Sequence, residues 1–186
     1  MGSPQPDRAT RGKQVLGPDD IARSLTRIAY EIIERNDGAD GLVIAGIPTR
    51  GATLARRLVE RIGQVGGART QYASIDTTMF RDDLRAQPLR PPHRMEIPES
   101  GIDGRPVVLV DDVLYTGRTV KAALDALGMT GRPSRVQLAV LVDRGHRELP
   151  IRPDYVGKNL PTSRSETVTI LLDETDGADA VLLGVR

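Results

Sequence analysis

The stretch that decides the fold class is Val107-Val-Leu-Val-Asp111-Asp112-Val-Leu-Tyr-Thr116-Gly117-Arg118-Thr119-Val120. Its first four residues are all apolar, which is typical of a parallel strand that is buried on both faces. Two carboxylates follow, and a turn rich in threonine and glycine then leads into a helical pattern. Because ligands of open α/β sheets bind at the carboxyl ends of the strands, this stretch predicts an α/β fold and places a ligand site in it.

The chemistry of the same stretch suits a ribose 5-phosphate. The turn and the helix start offer unpaired backbone N–H groups, threonine hydroxyls and a favourable helix dipole, all of which attract a phosphate. Asp111 and Asp112 repel phosphate, but they can accept hydrogen bonds from a vicinal diol. Two other interpretations stay open at this point. The acid pair can bind Mg²⁺ directly, and Thr116 or Thr119 can serve only as a helix N-cap.

The flanking sequence alternates between helical and strand-like patterns. Apolar residues at helical spacing predict helices over about 18–33, 52–62 and 119–127. Strand-like runs occupy about 41–45, 72–76, 107–110, 137–142, 168–172 and 181–185. This alternation predicts a mainly parallel central sheet flanked by helices. Residues 1–14 have the composition of a mobile tail, and residues 15–186 are expected to form a single domain.

Composition excludes several classes of function. The chain has 26 Lys and Arg against 25 Asp and Glu, so bulk charge cannot drive binding to nucleic acid. Aromatic residues make up only 3% of the 186 residues, which argues against a platform that stacks bases. Cysteine is absent, so thiolate metal sites and a cysteine nucleophile are excluded. No apolar run approaches the roughly 20 residues of a membrane span, and a cytoplasmic protein without a membrane partner is expected.

Two segments resemble known proteins. Residues 107–120 resemble the signature for phosphoribosyl pyrophosphate (PRPP) in type I phosphoribosyltransferases. The segment Asp143–Ser163 is similar to the family of bifunctional pyrimidine operon regulators and uracil phosphoribosyltransferases (PyrR), as are Leu25–Arg35 and Arg81–Leu84. The resemblance spans roughly residues 14–175. It implies the type I phosphoribosyltransferase fold, with a small hood and a flexible lid loop. It also implies that uracil and PRPP react to give UMP and pyrophosphate, and that UMP or UTP modulates binding to the mRNA leader of a pyrimidine operon.

The resemblance also implies roles for individual residues in catalysis. Asp111 and Asp112 would hold the ribose hydroxyls, and Asp112 is the candidate acceptor for the uracil N1 proton. The loop that binds PRPP and UMP would comprise Val113, Leu114, Tyr115, Thr116, Gly117, Arg118 and Thr119. Thr49, Arg50 and Gly51 would grip pyrophosphate, since a guanidinium binds phosphate oxygens in a bidentate manner. Arg81, in a lid over about 81–98, would be a catalytic residue that supplies positive charge. Mg²⁺ would be held mainly by PRPP oxygens and water, without direct protein ligands. Arg50 can also be a plain surface cation, and the lid segment a solvated loop.

A third set of residues is implied in RNA binding. The segment 143–164 carries five basic residues against three acidic ones, which alone would indicate only a solvated surface. The family is thought to use the corresponding segments to bind RNA. The resemblance therefore implies RNA contacts from Thr26, Arg27, Tyr30, His146, Arg147, Arg152 and Lys158. Lysine and arginine would contact phosphates, and hydrogen-bonding groups would read unpaired bases. A homodimer or larger homo-oligomer would pair two such surfaces.

Two positions depart from the family pattern. Tyr30 stands where relatives usually have histidine, so this position cannot gain charge near neutral pH. Pro48 stands where they often have lysine, so a cation near pyrophosphate is lost. Its presence makes a cis Ile47–Pro48 bond cheap, at about 0.5–1 kcal/mol relative to trans. Two rival functions remain open: a housekeeping uracil phosphoribosyltransferase without an RNA role, and an RNA-binding regulator with weak or vestigial catalysis.

Overall fold

The structure is a computed structural model that describes residues 12–67, 69–80 and 95–185. In chain order its strands are β1 (Lys13–Leu16), β2 (Val43–Gly46), β3 (Gln71–Ser74), β4 (Pro106–Leu114), β5 (Arg135–Asp143), β6 (Tyr155–Asn159), β7 (Glu166–Leu171) and β8 (Ala180–Val185). The helices are α1 (Pro18–Arg35), α2 (Arg50–Gly66), α3 (Arg118–Thr130) and the single turn α4 (Asp173–Asp176), and a short 3-10 helix spans Thr78–Phe80.

Five strands form a parallel central sheet in the order β3-β2-β4-β5-β6. Strand β4 pairs with β2 from Val107 to Val110 and with β5 along its whole length. Alternate residues of β4 face opposite sides of the sheet, so Val108 and Val110 belong to one core cluster and Val107 and Leu109 to the other. The predicted α/β fold with a mainly parallel sheet is confirmed.

Helices cover both faces of this sheet, as a parallel sheet requires. Helices α1 and α2 pack on one face through apolar residues at helical spacing, among them Ile21, Leu25, Leu54 and Leu58. Helix α3 covers the opposite face with a smaller apolar set that includes Val120. The three helices extend beyond the ranges that the sequence predicts. Within the described residues, no helix is both long and apolar enough to cross a membrane.

A second, three-stranded antiparallel sheet has the order β1-β8-β7. We call this sheet together with α4 the hood, because it matches the small hood expected from the resemblance. Lys13 and Gln14, which the sequence pattern assigns to the tail, pair with Leu183 and Leu182 in β1 and β8. The domain therefore begins two residues before the expected boundary, and residues 1–11 lie outside the described part of the chain.

Two arginines of α2 connect the hood to the central sheet layer. Arg57 forms an ion pair with Glu174 at 2.5 Å and another with Asp179 at 2.7 Å. The side chains of Arg57 and Asp179 are only 19% and 17% exposed, so this pair is shielded from much of the solvent. The hydrogen bonds from Arg57 hold the pKa of both carboxyls below their ordinary values. Arg50 makes a similar contact with Asp176 on α4.

Replacing Arg57 is expected to loosen the hood. Arg57→Gln should cost about 2 kcal/mol of unfolding free energy, because charge-assisted hydrogen bonds are lost and Asp179 is left half-buried. For a chain of this size, that corresponds to a fall of about 4–8 °C in Tm. Arg23→Gln is the matched control, since its ion pair with Asp20 is largely exposed and is worth at most about 0.5 kcal/mol.

The effect of Arg57→Gln should depend on pH. Because the folded pKa values of Glu174 and Asp179 are depressed, their pairing stabilises the protein above the unfolded pKa, near 4. That stabilisation is lost as the pH falls through the folded pKa values. The difference in Tm between wild type and Arg57→Gln should therefore be constant above about pH 5 and should shrink between about pH 5 and about pH 2. A constant difference over this range would contradict the assignment.

Candidate active site

The carboxyl end of β4 carries the two acidic residues that the sequence singles out. Asp111 is buried and Asp112 is half-buried. Asp111 Oδ1 accepts the backbone N–H of Asp112 at 2.9 Å, and Asp112 Oδ1 accepts the N–H of Val113 at 2.7 Å. Each carboxylate is thus oriented by the peptide that follows it. The two acids sit in the centre of the sheet edge where α/β proteins bind their ligands.

The turn between β4 and α3 ends at Gly117, which is the N-cap of α3. Gly117 has φ +94°, a conformation that favours glycine, and as the N-cap it has no side chain to cap the helix. Thr116 Oγ1 instead accepts the backbone N–H of Arg118 at 3.4 Å, so a capping role for Thr116 stays open beside the predicted role in phosphate binding. A helix start of this kind still presents backbone N–H groups and a favourable dipole to an anion.

The second family-like segment packs directly behind this turn. Thr116 O accepts the backbone N–H groups of Glu148 and Leu149 at 2.9 and 3.2 Å. The Glu148 carboxylate also pairs with Arg118, at 2.8 Å from its Nε. A Cβ atom added to Gly117 would lie 3.4 Å from Ile151. The two segments that suggest the family from sequence thus form one substructure.

The loop between β2 and α2 reaches the same place. Ile47 N–H donates to Val110 O at 2.9 Å, which ties the loop to β4. Gly51 lies so close to β4 that a Cβ atom there would be 2.5 Å from Val110 O and 3.2 Å from the Cα of Asp111. The structure therefore brings Thr49–Gly51 beside the acid pair. The cis peptide bond of this loop joins Pro48 and Thr49, one bond later than the predicted Ile47–Pro48 bond.

Arg50 points toward the hood. Its Nη2 lies 2.8 Å from Asp176 Oδ1 and its Nε 3.2 Å from Oδ2, which makes a bidentate pair. Burial acts to raise the pKa of Asp176, but the Leu172 N–H and the Arg50 guanidinium outweigh it and hold this pKa below its ordinary value. The role of Arg50 toward pyrophosphate stays a prediction. Arg81, the other cation predicted there, lies outside the described residues.

The residues predicted to bind RNA separate into two groups. Thr26, Arg27 and Tyr30 lie on α1, where Arg27 donates to the carbonyls of Val156 and Gly157 in β6 at 3.0 and 2.7 Å. Lys158, in the same strand, is exposed beside α1. We call this surface, formed by Thr26, Arg27, Tyr30 and Lys158, the α1–β6 face. It adjoins a shallow groove of about 660 Å³ that is lined by Ala22, Arg23, Thr26, Arg27, Tyr30, Glu31, Glu34 and Arg61.

The other predicted RNA contacts lie elsewhere. His146 Nε2 donates a hydrogen bond to Thr162 O at 2.6 Å, and its ring meets that of Tyr115 edge-on with centroids 6.0 Å apart. Arg147 is half-buried against the turn that follows β4, with its guanidinium bound to backbone carbonyls. Arg152 is exposed.

Arg144 holds several parts of the site together, although the sequence does not single it out. Its buried guanidinium lies 4.1 Å from the ring centre of Tyr115 and donates to Ser163 O and Glu166 O. It thus joins the turn after β4 to the start of the hood. In the sequence Arg144 is only one of several basic residues. Its hydrogen bonds to backbone carbonyls cannot be recognised there, because every residue, whatever its side chain, offers the same carbonyl group.

Comparisons with known proteins agree with this geometry. Residues 13–173 match the family of phosphoribosyl transferase domains. The bifunctional protein PyrR of Streptomyces coelicolor is 62% identical over 98% of this chain and 94% of its own length. The bifunctional protein PyrR of Mycolicibacterium paratuberculosis is 55% identical over 92% of both chains.

Solved structures support the fold. A hypoxanthine-guanine phosphoribosyltransferase from Bacillus anthracis has a TM-score of 0.70 and 17% identity, over 95% of this chain and all of its own. The hypoxanthine phosphoribosyltransferase of Trypanosoma cruzi, in complex with its product IMP, has a TM-score of 0.66 and 18% identity over 98% of both chains. At these identities, the likeness concerns the fold alone.

Two glycine substitutions test how tightly α2 meets β4. Gly51→Ala should destabilise the protein by about 1–3 kcal/mol, because the added methyl would collide with the Val110 carbonyl. Gly128→Ala is the control in α3, where nothing lies within 4 Å of the added Cβ, and it should stabilise by about 0.5–1 kcal/mol. Denaturant unfolding of both variants measures the difference, and equal effects would refute the close contact at Gly51.

Proposed function

The chain belongs to the phosphoribosyltransferase domain family and, within it, to the family of bifunctional PyrR proteins, and from this we propose that it transfers the ribose 5-phosphate of PRPP to uracil. The products are UMP and pyrophosphate. The observation that carries the proposal is the Asp111–Asp112 pair near the carboxyl end of β4, which is followed by a short turn and the amino terminus of α3. Diol acceptors and a phosphate cradle are thereby held next to each other at one sheet edge.

Each group of site residues has its own proposed role in the reaction. Asp111 and Asp112 accept hydrogen bonds from the ribose hydroxyls, and the N–H groups from Tyr115 to Thr119 take the 5-phosphate. The Thr49–Gly51 loop, which lies beside Asp111, receives the pyrophosphate group. As positive charge develops at C1 and pyrophosphate leaves, the protein acts by positioning the reactants and neutralising the leaving group. Asp112 is the candidate acceptor for the uracil N1 proton.

Mg²⁺ would enter this site together with PRPP. Among the described residues, no three His, Cys, Asp or Glu side chains come together as a metal site. Mg²⁺ prefers oxygen ligands and commonly binds substrate phosphates with one or two carboxylates and several waters. Asp111 and Asp112 fit that ligand set as neighbours of a metal held by PRPP. Bound there, the metal supplies charge neutralisation for the leaving pyrophosphate.

The acid pair provides the direct test of the activity. The double variant Asp111→Asn/Asp112→Asn should lower UMP formation by about 10²–10⁴-fold, since two charge-assisted hydrogen bonds to the ribose are weakened. Turnover of uracil and PRPP measures the effect, with circular dichroism as the check on folding. Asp125→Asn, on the exposed face of α3, removes the same kind of charge and should leave turnover unchanged. Normal turnover in the double variant would refute the placement of ribose.

The same proposal includes binding to the mRNA leader of a pyrimidine operon, modulated by UMP or UTP. Its support is the bifunctional character of the relatives and the α1–β6 face, where exposed Arg27 and Lys158 flank the groove at Tyr30. Tyr30 is 56% exposed and offers a ring and a hydroxyl to an unpaired base. A homodimer or larger homo-oligomer joins two such faces. Both PRPP and mRNA are found in the cytoplasm, where the protein is proposed to act.

Lys158→Gln tests the RNA-binding surface. If Lys158 contacts one RNA phosphate, its loss should weaken binding of leader RNA and lower the slope of log K against log salt by about one. Arg132→Gln, an exposed cation near the amino edge of the sheet, should leave both unchanged. An unaltered slope for Lys158→Gln would remove this residue from the interface.

The same measurements separate the two rival functions. Turnover without RNA binding in the wild type would indicate a housekeeping enzyme, and RNA binding without turnover would indicate a regulator with vestigial catalysis.

A further inference from the structure

Three consecutive carbonyl groups of the turn after β4 are bound from behind by one segment. Leu114 O accepts the Arg144 N–H at 3.1 Å, and Thr116 O accepts the N–H groups of Glu148 and Leu149. The carbonyl between them, Tyr115 O, accepts Nη1 of Arg147 at 3.0 Å. Two of the three are therefore held by backbone groups, and the middle one by the Arg147 side chain.

This arrangement sets the direction of the amides on the other side of the turn. In a trans peptide, the carbonyl of one residue and the N–H of the next point in opposite directions. Carbonyls 114, 115 and 116 all point toward residues 144–149, so the N–H groups of Tyr115, Thr116 and Gly117 point away from that segment. Successive N–H groups on the same side of a turn can form a concave site for an anion.

The Arg147 guanidinium is itself fixed by several partners. Its Nε–H donates to Ile151 O at 3.0 Å, and Nη2 pairs with the Asp143 carboxylate at 2.5 Å. The side chains of Arg147 and Asp143 are only 22% and 16% exposed. Asp143 ends β5 and lies level with Leu114 in the sheet register, so the pair joins the ends of two neighbouring strands.

We propose that Arg147 is a positioning residue for the nucleotide site: by holding the Tyr115 carbonyl, it aims the Thr116 N–H at the 5-phosphate. This inference rests on the proposed function, because it needs a phosphate in that turn. It also gives Arg147 a role different from direct contact with RNA. Its N–H groups serve the protein's own backbone, and any effect of Arg147 on RNA binding passes through the nucleotide loop.

The test measures UMP binding by calorimetry and the kinetics with PRPP and uracil. Arg147→Gln should weaken UMP binding by about ten- to a hundredfold, the loss expected for one charge-assisted hydrogen bond that orients the site. KM for PRPP should rise by a similar factor, while KM for uracil stays within about twofold. Arg147→Lys keeps the charge beside Asp143 but lacks the planar fork, so it should recover only part of the affinity. Arg164→Gln is the matched control on an exposed arginine and should behave as wild type.

A variant that merely damages the fold would raise both KM values or unfold. If Arg147→Gln does not fold, Arg147→Lys and Asp143→Asn provide the test, since each disturbs the Arg147–Asp143 pair more mildly. Each should still weaken UMP binding more than it raises the KM for uracil. The salt slope of RNA binding provides a further readout, and it should be unchanged in Arg147→Gln, which removes the charge.

The outcomes separate this inference from the proposed function. A wild-type protein that binds neither UMP nor PRPP refutes the function itself. Wild-type binding of UMP together with unchanged affinity in Arg147→Gln, or in both milder variants, overturns only the role of Arg147. A salt slope in Arg147→Gln that falls by about one, with UMP affinity unchanged, would instead assign Arg147 to direct contact with an RNA phosphate.

Discussion

Strand β4 is hydrogen-bonded to parallel neighbours on both sides and covered by helices on both faces, and the site depends on this arrangement. A strand so enclosed is apolar along Val107–Val110, and its first polar residues come where its pairing with β2 has ended and only β5 still flanks it. Asp111 and Asp112 stand at that point. The close approach of α2 at Gly51 then brings a second loop to the same edge. The packing of the core and the position of the acid pair therefore both follow from the enclosed position of β4 in the sheet.

The turn after β4 would not hold its shape alone. A short turn that exposes several N–H groups in one direction must present its carbonyls in the other, and each buried carbonyl needs a donor. Residues 144–149 supply those donors: three backbone N–H groups serve two of the carbonyls, and the Arg147 side chain serves the third. This explains why two segments about thirty residues apart in sequence act as a unit. It also explains why His146 and Arg147 lie against the turn after β4 and apart from the α1–β6 face.

Much of this architecture is readable from the chain, and the exceptions have physical reasons. The three long helices are marked by apolar residues at helical spacing, and the inner strands by unbroken apolar runs. Strand β6 is missed because it lies at the sheet edge with Lys158 and Asn159 exposed, among prolines that favour a turn. Strand β1 and α4 are too short to show a period. Asp111 and Asp112 are found through their motif. Arg50 and Arg57 pair with carboxylates more than a hundred residues away, and Arg144 and Arg147 bind backbone carbonyls, so no local sequence pattern predicts these contacts.

The pairing of β1 with β8 has a consequence for the order in which the protein takes shape during synthesis. Strands β2 to β6 of the central sheet end at Asn159, so all of that sheet is synthesised before β7 and β8 of the hood. Lys13 can pair with Leu183 only after Leu183 has been synthesised. At typical translation rates this takes roughly ten to thirty seconds after the synthesis of Lys13. During this interval β1 has no partner strand in the hood, and α2 presents Arg50 and Arg57 without their carboxylates. Until β7, α4 and β8 have been synthesised, the two α2 arginines thus have no carboxylate partners in the hood.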